Sequence, residues 1–374
     1  MEDDSEDFYQ ALTRHLRLFS SVLWTFPVRH VSGLFGTEGA VGSSKLEISL
    51  SVFAIATFLL VLYQSVELVR RMVLARALLR ARRGRSSLPL FPRERDCWEL
   101  EQGPSCGLCA LKGRRPRMED RFSIIEDPAS GIALYGVFDG HGGEFAADFV
   151  EKRLFKELLK KLQAAVLEKG KGSSCVTEEF VRLLTAQILD LDKELLLKVK
   201  AARDVAGTTA LVAIVYKNKL IVANVGDSRG VICDSKGNTI PLSFDHKPDQ
   251  LKERKRIKDA GGFIAYNGVW RVAGILATSR ALGDFPLKDR NLVIARPDIL
   301  TFDLATLRPR FMILASDGLW DTMSNEEAVA HLVKDNGHRA LEDARSLSHH
   351  AFKSGSQDNV TVLVVRFSEE KKEL

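Results

Sequence analysis

Apolar residues in this 374-residue chain are spaced in three different ways, and each spacing predicts a different kind of element. The first is an unbroken run, ISLSVFAIATFLLVLYQSV from Ile48 to Val66, nineteen residues without a charge. At about 1.5 Å per residue it nearly crosses a hydrocarbon core of roughly 30 Å, which predicts a transmembrane helix over 46–68. The second is short and rich in β-branched residues. RFSII, IALYGVF, TALVAIVY, KLIVANV, RGVICD, FMILAS and NVTVLVVRF, all after Cys106, are predicted strands. The third has helical periodicity: GEFAADFVEKRLFKELLKKLQAAVLEK, VTEEFVRLLTAQILDLDKELLLKVK, QLKERKRIKDA, SNEEAVAHLVKD and RALEDARSLSHHAF. Ser324 and Glu327 make a capping box for the fourth of these helices, and Gly261-Gly262 stops the third.

Strands follow one another closely from Thr209 to Asp234, with short turns at Lys217-Asn218 and Gly226-Asp227. That spacing leaves no room for crossover helices and predicts antiparallel pairing, so the fold class is α+β rather than doubly wound. The length allows a large core, and no internal repeat is present.

Charge changes the picture at one place. The net charge is only +5, yet nine arginines and a single acid, Glu94, lie between Arg70 and Arg95. Such a patch beside an apolar span suits a membrane surface, and nucleic acid is not an expected partner. Met1 to Lys45 holds six acids and four bases, so the positive-inside rule places the carboxyl-terminal part in the cytosol. A cleaved signal peptide fits less well, because the apolar run starts late and carries its basic flank on the carboxyl side. The predicted organisation is a lumenal segment over 1–45, the span over 46–68, a basic juxtamembrane linker over 69–97, a soluble domain over 98–368 and a charged tail over 369–374. Within the first segment, FYQALTRHLRLFSSVLWTF has the character of an interfacial helix.

Five cysteines in a long chain argue for a reducing compartment and against a disulfide framework. Cys106 and Cys109 form a lone CxxC with no second pair and no clustered histidines, so zinc is not expected there and two small buried strand residues are. His246 is expected in a turn, and His349 and His350 as exposed helix residues.

Four apolar runs carry an aspartate at one end: Asp139 after IALYGVF, Asp227 after LIVANVG, Asp317 after MILAS and Asp358 before NVTVLVV. Taken singly, each reads as a turn former or cap. Brought together they would need cations or protons, since two like charges about 4 Å apart repel by roughly 4 kcal/mol at an effective dielectric near 20.

GRRPRMEDRF, GVFDGHGGE, AGTTALV, ANVGDSR, DHKP, LATSRALGDF, ASDGLWD and QDNVTV stand in the order found in metal-dependent protein serine/threonine phosphatases of the type 2C family, which this chain resembles from about Cys106 to Phe367. The resemblance implies a four-layer α-β-β-α sandwich of two antiparallel sheets flanked by helices. It further implies two magnesium or manganese ions between the sheets, bridged by Asp139 and a water. Glu119 and the carbonyl of Gly140 would serve one ion, Asp317 and Asp358 the other. Asp120 would support the metal-bound water, and Asp227 with Asp317 and Asp321 would hold a weaker third ion. His141 would protonate the leaving serine or threonine oxygen from a normal pKa near 6.5, and Arg115 would grip phosphate.

Hard oxygen donors suit magnesium or manganese, and two such ions can activate water for in-line displacement at phosphorus. The partners implied are phosphorylated proteins and a membrane, with a monomeric catalytic domain. Two other readings compete. The Cys-x5-Arg spacing from Cys109 to Arg115 matches that of cysteine-dependent phosphatases, and loss of activity within the same fold would leave a membrane-tethered phosphoprotein-binding scaffold. Lys371 and Lys372, fourth and third from the end, resemble a di-lysine retrieval signal, and a span of roughly 28 Å suits the thin reticulum bilayer. A single-pass endoplasmic reticulum protein with a cytosolic catalytic domain is therefore expected.

Overall fold

The computed structural model describes residues 96–169, 173–335 and 339–367. The predicted membrane span, its arginine-rich flank and the charged tail lie outside these residues. No helix among the described residues is long and apolar enough to cross a membrane. In chain order the elements are β1 (Cys97–Gln102), β2 (Cys106–Leu111), β3 (Arg121–Asp127), β4 (Ile132–Phe138), β5 (Gly140–His141), α1 (Phe145–Lys169), α2 (Ser173–Ala202), β6 (Gly207–Thr208), β7 (Ala210–Tyr216), β8 (Lys219–Val225), β9 (Arg229–Cys233) and β10 (Thr239–Pro241). They continue with α3 (Leu251–Asp259), β11 (Ile264–Asn267), β12 (Val269–Val272), β13 (Leu282–Gly283), α4 (Phe285–Lys288), β14 (Asp298–Asp303), α5 (Leu304–Leu307), β15 (Phe311–Ala315), α6 (Asp317–Trp320), α7 (Asn325–Asp335), α8 (Ala340–Lys353) and β16 (Val360–Arg366).

Two antiparallel sheets dominate. One has the order β1-β2-β16-β15-β9-β10 and the other β14-β8-β7-β4-β3. Alternating residues along each strand point to opposite faces, and here both faces are apolar. On β15, Met312 and Leu314 face the opposite sheet, while Phe311, Ile313 and Ala315 face helices. On β4, Tyr135 and Val137 turn to the same intersheet core, while Ile132, Leu134 and Phe138 turn outward. Long apolar faces of α1 and α2, including Val150, Leu154, Leu158, Phe180 and Leu184, cover the outer side of the five-stranded sheet. Val329 and Leu332 of α7 and Ala344, Leu347 and Ala351 of α8 cover the other. Burial on both faces is why these strands read as unbroken apolar runs rather than as alternating ones.

Every strand and helix predicted from the pattern after Cys106 is present, and the capping box is made: Ser324 N donates to Glu327 Oε2 at 2.8 Å, and Glu327 N to Ser324 Oγ at 3.2 Å. One pairing is corrected. The turn at Lys217-Asn218 closes a β7–β8 hairpin, but the turn at Gly226-Asp227 carries the chain from one sheet to the other, so β8 and β9 are not partners. Gly226 takes φ +111 there, and a Cβ would collide with the Thr209 side chain. Strands without an apolar run went unrecognised: β1 and β14 lie at sheet edges with exposed positions, and β11–β12 form a separate two-stranded flap.

Candidate active site

A cleft of about 640 Å³ opens where strands of both sheets end. Asp139 follows β4, Asp227 lies in the crossing between sheets, Asp317 starts α6 straight after β15, and Asp358 stands two residues before β16. All four line the cleft, together with Glu119, Asp249 and Asp321. Seven carboxylates therefore face three cationic side chains, Arg115, Lys247 and Arg271. The aspartates that looked like separate turn formers in sequence are one constellation.

Two of the cations are already engaged. Lys247 Nζ sits 2.6 Å from Asp227 Oδ2, and the Arg115 guanidinium pairs with Asp358 and donates to the Gln357 carbonyl at 3.2 Å. Neither Asp139 nor Asp317 has an ion-pair partner among the described residues. Burial, then Asp317, pushes the Asp139 carboxyl well above its usual range; burial, then Asp227 and Asp321, does the same to Asp317. Such a deficit of positive charge, lined by hard oxygen donors, fits magnesium or manganese and does not fit a thiophilic metal.

The backbone around Asp139 is held tightly. Its N–H donates to Thr209 Oγ1 at 3.0 Å, and its carbonyl accepts from Thr209 N at 2.9 Å. Gly140 next to it has no room for a side chain, because a Cβ would strike the Glu119 carbonyl. Glu119 is fixed by Asn359, whose Oδ1 accepts from Glu119 N at 2.8 Å and whose amide donates to the Lys112 and Arg117 carbonyls. Asp120 is placed behind the cleft, not in it. Its Oδ2 accepts from Ser316 Oγ at 2.8 Å and Thr361 Oγ1 at 2.7 Å, and burial raises its pKa to about 7.

His141 reaches the cleft with its ring oriented from behind. Nε2 lies 3.0 and 2.9 Å from the two oxygens of Asp284, a buried residue in left-handed backbone conformation (φ 55). Gly207 makes this pair possible, since a Cβ there would overlap both side chains. The expectation of an ordinary imidazole pKa is corrected: burial depresses it, but Asp284 more than reverses this and the net shift is upward. Asp284, Lys247 and Asn359 were not singled out in sequence although all three sit inside quoted motifs, LATSRALGDF, DHKP and QDNVTV. A polar residue within an otherwise apolar or turn-like motif was the available signal. His246 is more than a turn residue, because its buried ring accepts from Gly226 N through Nδ1 at 3.0 Å.

Residues 105–360 match the family described as Protein phosphatase 2C. The chain belongs to the protein phosphatase 2C family. It is 52% identical over 277 residues to Protein phosphatase 1L of Bos taurus, covering 74% of this chain and 75% of that protein. It is also 43% identical over 273 residues to Probable protein phosphatase 2C 59 of Arabidopsis thaliana, covering 70% and 79%. Among solved structures, the serine-threonine phosphatase 2C of Toxoplasma gondii superposes with a TM-score of 0.61 at 26% identity, over 74% of this chain and 100% of that one. The phosphatase is thus a metal-dependent protein serine/threonine phosphatase with the α+β fold of its family. The cysteine-dependent alternative fails on position. Cys109 is wholly buried, faces the helices rather than the cleft, and its thiol pKa is pushed far up by its hydrogen bond with Cys97 and by burial.

Proposed function

We propose that this phosphatase is membrane-anchored and hydrolyses phosphoserine and phosphothreonine in protein substrates with a binuclear magnesium or manganese centre. The observation that carries this reading is the gathering of seven carboxylates against three cations in one cleft. Asp139 would bridge the ions, Glu119 and the Gly140 carbonyl would hold one, and Asp317 with Asp358 the other. Asp227 and Asp321, beside Asp317, would contribute to a weaker third site. When bound, such ions lower the pKa of water and neutralise charge developing at phosphorus.

The chain's own residues do the rest. Arg115 stands at the cleft rim about half exposed and would offer its planar guanidinium to two phosphate oxygens, while Asp358 would be available to hold an ion. His141, oriented by Asp284, whose carboxylate outweighs burial and raises the imidazole pKa, would deliver a proton to the departing serine or threonine oxygen. Asp120 is held behind the cleft by two hydroxyl donors and would add to the negative charge that the ions must balance. Tyr266, Val269 and Trp270 of the β11–β12 flap wall one side of the cleft and present an aromatic surface to a protein substrate.

Membrane anchoring rests on the charge-free run over 46–68 and its arginine flank. Residues 98–368 would form the catalytic domain, acting as a monomer in the cytosol at the endoplasmic reticulum surface. The test is hydrolysis of a phosphothreonine peptide by the purified full chain with manganese. Activity should vanish with a chelator and return with manganese, and Asp139→Asn should lower kcat at least about 100-fold without loss of secondary structure. Near-normal turnover by that variant would remove Asp139 from the centre.

A further inference from the structure

A second cluster of metal-ligating side chains lies away from the acidic cleft. Cys97 on β1 and Cys109 on β2 bring their sulfurs to 3.9 Å, and a ring nitrogen of His349 on α8 lies within 4.8 Å of both. None of the three lines the cleft. The lone CxxC noted in sequence is not the source of this cluster. Cys106 faces the core between the sheets and Cys109 the helices, so those two thiols point to opposite sides of one strand.

Two thiols come together in a disulfide, in a hydrogen bond or as ligands of a shared ion. A disulfide needs sulfurs about 2.05 Å apart and Cα atoms within roughly 6.8 Å. Cys97 stands opposite Leu111 and Cys109 opposite Glu99, so the two cysteines are diagonal partners, for which the separation is typically about 7–8 Å. A tetrahedral ion with metal–sulfur bonds of about 2.3 Å instead holds two sulfurs about 3.8 Å apart. The observed 3.9 Å excludes a disulfide and suits both a thiol–thiol hydrogen bond and a shared ion, and the His349 nitrogen beside the two sulfurs supplies the third ligand that an ion needs.

The three ligands also come from elements that are fastened to one another. Ser348 Oγ, next to His349, donates to the Cys109 carbonyl at 3.1 Å. Arg345, one helical turn before His349, holds both oxygens of Glu99 at 2.8 and 2.6 Å, and Arg339 holds Glu101 in the same way at 3.0 and 2.8 Å. A site supported on all sides by side chain and backbone bonds loses little freedom when it binds. Cys97 and all of β1 precede residues 105–360, the stretch that matches the family, so the cluster includes a residue from outside that match.

We propose that Cys97, Cys109 and His349 form a binding site for a thiophilic divalent ion, zinc in the first instance, with the fourth position taken by solvent. Two thiolates and an imidazole select zinc over the magnesium or manganese suited to the cleft. The ion clasps the edge strand β1 to α8 at the point where the chain enters the phosphatase domain. The inference does not depend on the catalytic assignment, since its ligands and its readout are separate.

Cobalt titration of the detergent-solubilised full chain, kept reduced and in excess magnesium, tests the site. One equivalent of cobalt should give a thiolate-to-cobalt charge-transfer band with the visible bands of tetrahedral cobalt, and one equivalent of zinc should abolish them. Zinc should also raise the thermal unfolding midpoint. Loss of outer-shell partners alone costs 10–100-fold in metal affinity, so removing a ligand by Cys97→Ser or His349→Ala should weaken binding by at least about 100-fold and erase the zinc-dependent midpoint shift. Asp317→Asn, in the acidic cleft, should leave the band intact. Absence of the band in the unaltered chain, or its persistence in both ligand variants, would overturn the proposal.

Discussion

His141 cannot be understood from its own position in the chain. Its role depends on Asp284, 143 residues away in sequence, on a strained backbone conformation at that aspartate and on the missing side chain of Gly207. A carboxylate that keeps the imidazole charged matters most when the leaving oxygen is a strong base. Asp284→Asn should therefore reduce kcat on a phosphothreonine peptide by about 10-fold or more, and change the rate on an aryl phosphate, whose leaving group needs no proton, by far less. Equal losses on both substrates would make Asp284 a fold-supporting residue only. At this scale four aspartates of the cleft were legible, because an acid stands at one end of four separate apolar runs. Asp284 and Asn359 were not, because a single polar residue in a motif looks like any other turn or cap.

The helix α3 shows how an element is tied into the frame that carries the flap. It is strongly charged and looks like a solvated surface helix, yet Glu253 is buried. Its Oε1 accepts from the Arg280 guanidinium at 3.1 and 2.7 Å, and its Oε2 accepts from Arg256 at 2.9 Å and the Ser279 hydroxyl at 2.8 Å. Burial alone would raise this carboxyl, but Arg280 and the other donors bring it down to about 2. A carboxyl depressed in the folded state contributes stability that is complete above its unfolded pKa of about 4.3 and is lost as pH falls toward about 2. Glu253→Gln should cost about 3 kcal/mol at pH 7, measured by urea unfolding, because it leaves two arginines facing a neutral amide. The difference from the unaltered chain should shrink between about pH 4 and pH 2; a constant difference across that window would show that packing, not charge, is responsible. The periodicity located this helix and its glycine stop correctly. What it could not convey is which polar face turns inward, since that depends on Arg280 from a distant loop.

At the scale of the whole molecule, the proposed span over 46–68 carries a prediction of topology. Arginines follow the apolar run and acids precede it, and by the positive-inside rule the proposed span would leave the domain on the cytosolic side. Protease added to intact microsomes should digest the catalytic domain and spare an epitope at Met1, and a protected catalytic domain would reverse the topology. The sequence alone determined the helices and strands of the central sheets, the fold class and the carboxylates of the cleft other than Asp249. Each of these is written in neighbouring residues: a period, a cap, a β-branched run, an acid at a strand end, and motifs that keep their order. Tertiary structure decided the rest. Whether β8 pairs with β9 or crosses to the other sheet depends on which apolar face each strand must bury, and no local pattern states that. The edge strands, paired on one side only and partly exposed, never acquire an apolar run. The pairing of His141 with Asp284 and the meeting of Cys97, Cys109 and His349 arise only when separate elements pack together, because contacts between residues far apart in the chain are set by the burial of everything between them.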